Sequence, residues 1–155
     1  MKATFAAGCF WGVEAAFRSM PGVIATRVGY TGGHTTNPTY REVCGHATGH
    51  AEAVEVEFDP TQVPYEDLLG VFWSMHNPTA PSRGAGSQYR SAVFVHDEEQ
   101  GLLAKAAKEA AQSRFAAPIV TEITPAPEFW KTEDYHQQYY EKHGLGASCH
   151  RVAAG

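Results

Sequence analysis

Residues 8–12 read GCFWG, a thiol between two glycines followed by two large aromatic side chains. A cysteine that only fills space gains nothing from flanking glycines. A reactive one does, because Gly8 and Gly12 let backbone or substrate come close to the sulfur. The segment stands where a short strand hands over to a helix, so Cys9 faces the unpaired amides and positive dipole end of a first turn. That field favours thiolate and is expected to hold Cys9 below the usual thiol pKa of about 8.5. Phe10 and Trp11 are expected to form a flat apolar wall for a methyl or thioether-like group. The competing reading makes Cys9 a small buried hydrophobe and Phe10 plain core.

A second group with chemistry to offer lies in AEAVEVEFDP, residues 51–60. Strand alternation puts Val54, Val56 and Phe58 on one face and Glu55, Glu57 and Asp59 on the other, which is expected to be the wet one. Glu52 falls on the apolar side. A carboxyl in apolar surroundings loses hydration as an anion, so its pKa rises and it can hold a proton to donate near neutral pH. Tyr40, in NPTYREV, and Tyr89, opening YRSAVFV, also sit among apolar neighbours. Buried tyrosines need hydrogen-bond partners, so both are candidates for structural ties as well as for site donors.

Two further constellations compete. CGHATGHAE places Cys44, His46, His50 and Glu52 within nine residues, but its glycines break any helix and the Cys-x-His spacing matches no closed zinc site. No metal is expected. A cysteine hydrolase or acyl transferase is the alternative enzyme class, with Cys9 as nucleophile and His50 or His136 as base. The end of the chain, GLGASCHRVAAG (144–155), lacks periodicity and is expected to be mobile. It carries Cys149, and a thiol on a flexible segment suits the resolution of a sulfenic acid into a disulfide. Cys44 could join such a relay, although packing is the simpler role.

These residues need a scaffold. Strand patterns near 3–7, 23–30, 51–60, 89–96 and 119–124 alternate with helical patterns near 10–20, 65–76 and 97–115, and a last helix is expected over 132–143. The first six elements run β-α-β-β-α-β, the order of a ferredoxin-like split βαβ sandwich of the α+β class, here with added helices and a flexible C-terminal tail. Residues 1–143 are expected to form a single catalytic domain and 144–155 the tail. The segments 31–50 and 78–88 read as loops, and a loop as long as the first is usually functional. The net charge of −5 argues against nucleic acid or an anionic membrane as partner, and no apolar run approaches the roughly 20 residues of a membrane helix. Three cysteines are too few for a secreted disulfide framework, and no secretory signal is evident, so a reduced, cytoplasmic protein is expected.

GCFWG, GYTGGHTTNPTY, TGHAEAVEVEFDP, SQYRSAVF and EDYHQQY, in this order, resemble the segments of the A-type peptide methionine sulfoxide reductases, and the likeness spans most of the chain. The resemblance implies an α+β sandwich that reduces the S epimer of methionine sulfoxide, free or in oxidised proteins, without metal or organic cofactor. It implies Cys9 as nucleophile, Phe10 and Trp11 as walls around the substrate methyl, and Glu52 as the acid that protonates the sulfoxide oxygen. Tyr40 and Tyr89 become hydrogen-bond donors to that oxygen. Cys149 becomes the recycling cysteine, its disulfide with Cys9 reduced by thioredoxin or a similar dithiol. A monomer is expected. The chain departs from the family pattern in SRGAG, which puts Gly84 where an aspartate is usual, and in His76-Asn77-Pro78, where HDP is usual.

Overall fold

The computed structural model describes residues 1–45, 48–80, 88–133 and 136–139. Its elements are β1 (Lys2–Ala7), α1 (Phe10–Arg18), β2 (Val23–Thr31), α2 (Tyr40–Cys44), β3 (Ala51–Phe58), α3 (Tyr65–Ser74), β4 (Ser91–Val95), α4 (Glu98–Gln112), β5 (Glu122–Pro125) and β6 (Trp130–Lys131). They build one sheet in the order β5-β4-β1-β3-β2-β6. Its four central strands are antiparallel and ordered 4-1-3-2, which is the split βαβ arrangement read from the element order. To these, β5 adds parallel to β4 at one edge and β6 antiparallel to β2 at the other.

Alternation along the strands decides what each face buries. Ala3, Phe5, Ala7, Val28, Tyr30, Val54, Val56, Phe58 and Val93 point toward Phe10, Val13 and Phe17 of α1 and Leu68, Leu69 and Phe72 of α3, forming the main core. Stacking of Phe5 on Phe17, with ring centroids 4.8 Å apart, fixes α1 across β1. Asp97 caps α4 by accepting the Gln100 amide at 2.7 Å, and Glu98 and Glu99 in the first turn complement the dipole.

The far face is not the wet surface that alternation alone suggests. Ala6, Ala51, Ala53, Ala92 and Phe94 form a second apolar cluster against Ala126 and Phe129. Glu55 lies on this face and is only 8% exposed, paired with Arg27 directly opposite on β2. Glu57 is exposed as expected.

Other expectations shift at the edges. The 31–50 segment contains α2, set by a capping box in which Thr39 accepts the Glu42 amide and Glu42 accepts the Thr39 amide. The strand expected over 89–96 starts at Ser91, leaving Tyr89 in a turn, and the strand expected over 119–124 is Glu122–Pro125. The helix expected over 132–143 does not begin at Thr132. That residue instead continues the β2 edge, its amide donating to Val28 O at 3.0 Å. The Gln137 side chain explains why: its amide group both accepts from Val28 N and donates to Val28 O at 2.8 Å, acting as one more strand residue. The rest of that expected helix that falls on residues 134–135 and 140–143, and the tail at 144–155, lie outside the described residues.

Candidate active site

One end of the sheet collects the groups singled out above. β1 ends at Ala7, and Gly8 turns the chain with φ of 105°, a conformation that only glycine adopts cheaply. The turn delivers Cys9 to the start of α1, half-buried at the helix N-cap. From the neighbouring strand β3, Glu52 enters the same space with its side chain 1% exposed. Register places it opposite Tyr30 on β2.

Glu52 is held by neutral donors. Its Oε1 accepts the Phe10 amide at 3.2 Å and its Oε2 accepts the Gln88 side-chain amide at 2.7 Å, while the Tyr89 hydroxyl adds a further hydrogen bond. Burial outweighs all three, and the carboxyl pKa is pushed up to about 7. It therefore exchanges its proton near neutral pH instead of remaining a fixed anion.

Cys9 departs from expectation. The Trp11 and Gly12 amides of the helix start do draw the thiol down, but burial is the larger effect and the Glu52 charge adds to it, raising Cys9 to about 11. Two amide dipoles do not compensate a sulfur anion for lost water. The resting site thus holds a neutral thiol beside a carboxyl poised at its own midpoint.

Around this pair runs an aromatic wall. Phe10 is fully buried and packs on Tyr30 at 5.6 Å, Tyr40 at 6.3 Å and His136 at 5.5 Å. Trp11 is half-buried, stacks on Tyr139 at 3.9 Å and donates its indole N–H to His136 Nδ1 at 3.0 Å. His136 also lies 4.5 Å from the Tyr40 ring, and burial lowers its pKa. Tyr40 hydrogen-bonds to Cys44, one helical turn on, and to Tyr89, whose own pKa is raised to about 12, chiefly by burial. Tyr89 is 37% exposed, so it stands at the rim of the site while its hydroxyl reaches in to Glu52.

The loop that carries Tyr40 and Cys44 is pinned at its base. Arg90 donates to Gly49 O at 3.0 Å and pairs with Glu122 at 2.9 Å. Gly33 has to be glycine, since a Cβ there would stand 2.5 Å from His50 and from Thr48 O. His50 accepts the Gly33 amide on Nδ1 and donates from Nε2 to Thr35 O at 2.7 Å. Both nitrogens are committed to the loop, which removes His50 as a base for Cys9. Among the described residues no cluster of three metal-ligating side chains occurs; His46 of the CGHATGH run lies outside them.

The structure thus brings Cys9, Phe10, Trp11, Tyr40, Glu52 and Tyr89 to one place. Cys149 and Gly84 lie outside the described residues. Sequence reasoning passed over Gln88 and Tyr139, took His136 only as a hydrolase base and preferred packing for Cys44. His136 and Tyr139 reach the site from a distant segment, which leaves no local spacing to read, whereas Cys44 lies one helical turn from Tyr40 and Gln88 next to Tyr89, the two places where the sequence offered a hint.

The family model described as "Peptide methionine sulfoxide reductase" matches residues 1–154. "Peptide methionine sulfoxide reductase MsrA" of Methanosarcina acetivorans is 58% identical, covering 93% of this chain and 79% of that protein. The solved methionine sulfoxide reductase A of Corynebacterium diphtheriae superposes with a TM-score of 0.87 at 40% identity, covering 94% of this chain and 76% of that one. Mxr1 from Saccharomyces cerevisiae in reduced form gives 0.87 at 32% identity over 94% of this chain and 87% of that one. The same yeast protein, solved in complex with Trx2, gives 0.66 at 25% identity over 90% and 84%.

Proposed function

The chain belongs to the peptide methionine sulfoxide reductase family, and from that premise we propose how its own residues carry out the reduction of methionine S-sulfoxide, free or in oxidised proteins. The single observation that carries the reading is a fully buried carboxyl, Glu52, bonded to the first amide of the helix that presents Cys9. The sulfoxide methyl rests against Trp11, with the buried Phe10 ring packed behind as the inner part of the wall, and its oxygen points toward Glu52 and the Tyr40 and Tyr89 hydroxyls. Glu52 gives its proton to that oxygen, which makes the sulfoxide sulfur electrophilic. Cys9 attacks this sulfur, and the carboxylate left behind takes up the proton that Cys9 sheds.

The balance closes without water or metal. Attack forms a bond from Cys9 sulfur to the substrate sulfur. The hydroxyl then passes from the substrate sulfur to Cys9 as that bond breaks, so a thiol and a sulfoxide give a sulfenic acid and a thioether, Cys9 sulfur losing the two electrons that the substrate sulfur gains. Cys149 then condenses with the sulfenic acid, releasing water and forming a disulfide. The yeast relative's complex with Trx2 supports thioredoxin, or a similar dithiol, as the reductant that reopens it. We place this cycle in the cytoplasm, where such reductants keep thiols reduced. No helix among the described residues is long and apolar enough to cross a membrane.

The test is Cys9→Ser assayed on methionine S-sulfoxide beside the wild type. Turnover is expected to vanish, and residual activity near wild type would end the assignment. Non-reducing peptide mapping of the wild type after one turnover is expected to find Cys9 joined to Cys149.

A further inference from the structure

Gln88 is 3% exposed and grips Glu52 at two points. Its backbone carbonyl accepts the Glu52 amide at 2.8 Å, which ties the turn before β4 to the start of β3. Its side-chain nitrogen donates to Glu52 Oε2 at 2.7 Å. The same nitrogen reaches Cys44 Sγ at 3.5 Å, and Tyr40 hydrogen-bonds that sulfur from within α2. A carboxamide nitrogen with two acceptors in front of it has a reason to keep its donors, rather than its oxygen, toward the carboxyl.

We propose that Gln88 is the positioning residue of this site: it aims Glu52 at the substrate oxygen and, by donating to Oε2, sets the pH at which Glu52 yields its proton. The proposal rests on the reading of Glu52 as proton donor given above. Its physics is simple. A hydrogen bond given to a carboxylate stabilises the anion and not the acid, so it opposes the effect of burial. Without Gln88 the acid would hold its proton too tightly and too far into the alkaline range to be an efficient donor. Cys44 thereby gains a role as well, as the acceptor that anchors the amide.

Titratable groups face Glu52 from the elements around it: Cys9 at the start of α1, Tyr30 on β2, Tyr40 on α2 and Tyr89 in the turn before β4 all feel its charge, and Tyr89 also donates to it. Cys44, on α2, bears on the three tyrosines. Tyr30 in turn feels Glu133. The hydroxyls and the Cys9 thiol, with their raised pKa values, keep their protons across neutral pH, so the Glu52 proton is the one that moves there.

A first measurement needs no variant. In wild-type protein labelled with 15N glutamine and 13C glutamate, the Gln88 side-chain amide signal is expected to titrate with the same midpoint as the Glu52 carboxyl, assigned through Glu52→Gln. An amide signal flat across that midpoint overturns the proposal. In Gln88→Met, which keeps the bulk and loses the donor, the Glu52 midpoint is expected to rise by about one pH unit. The alkaline limb of single-turnover Cys9 oxidation is expected to follow it, with kcat changed and KM for methionine sulfoxide unchanged. A midpoint that stays put in a folded Gln88→Met overturns the proposal. Should that variant not fold, Gln88→Glu is expected to move the midpoint the same way, because two carboxyls then compete for one proton. Loss of sulfoxide reduction in the wild type itself would instead remove the functional reading, which the carboxyl titration does not depend on.

Discussion

Glu52 and Glu55 sit three residues apart on β3, both largely buried, on opposite faces of one sheet. Glu52 is surrounded by neutral donors: a helix amide, a glutamine amide and a tyrosine hydroxyl. Glu55 is met by cations, Arg27 across the ladder and Lys2 at 3.8 Å. A cation stabilises the anion at long range and makes a carboxylate a fixed charge. Neutral donors satisfy the oxygens while leaving the choice of protonation state open. Two glutamates that look alike in EAVE therefore do different work: one ties β3 to its neighbours β2 and β1 through cations, the other is available to trade a proton.

The sharpest way to break this contrast is to neutralise each. Glu52→Gln keeps the shape of the carboxyl and removes its proton donor. Turnover on methionine S-sulfoxide is expected to fall by about 10²–10⁴-fold, the usual share of a general acid. Glu55→Gln is expected to leave turnover within about twofold. Equal losses in steady-state assays would show that both glutamates act only through folding.

A second, smaller effect lies in stability. Folded Glu52 has a pKa of about 7 against an ordinary 4.5. Below the lower value both folded and unfolded chains hold the proton, and no penalty exists. Between the two the unfolded chain releases it and the folded chain does not, so stability declines as pH rises, by about 3 kcal/mol once pH exceeds the folded pKa. Urea unfolding at pH 5 and pH 8 is expected to show this decline in the wild type and in Glu55→Gln, and to show it removed in Glu52→Gln. A decline that survives in Glu52→Gln would assign it to another group.

How much of this could be read from residues alone differs between the two faces. Period-two alternation placed Glu52 with Val54 and Val56, and element order gave the split βαβ core, because both signals are local. The same alternation called the Glu55 face wet. It missed the covering by Ala126 and Phe129, which come from a segment some 70 residues away with no periodicity of its own. The thiol shows the other failing. Helix-start position correctly implied amides at Cys9, but not that burial would outweigh them, since desolvation depends on what packs around the sulfur. Gln137 hid the edge of the sheet for a related reason: a side chain imitating a strand looks like part of a helix when only its neighbours are read.

The finest test of the contrast is salt. Glu55 has a side chain 9% exposed, but its partners are wet: Arg27 is 44% exposed and Lys2 56%. An ion pair with one foot in solvent is worth about 1 kcal/mol and is screened, because the Debye length shrinks from about 10 Å at 0.1 M salt to about 3 Å at 1 M. Glu55→Gln is therefore expected to cost about 1 kcal/mol in urea unfolding at 0.1 M sodium chloride and about half that at 1 M. The stability change from Glu52→Gln, measured at pH 5 where the acid is protonated, is expected to be the same at both salt concentrations, since no charge is present to screen. If the two variants responded to salt alike, the faces of β3 would not differ in kind, and the protonation freedom assigned to Glu52 would have to come from somewhere other than its neutral surroundings.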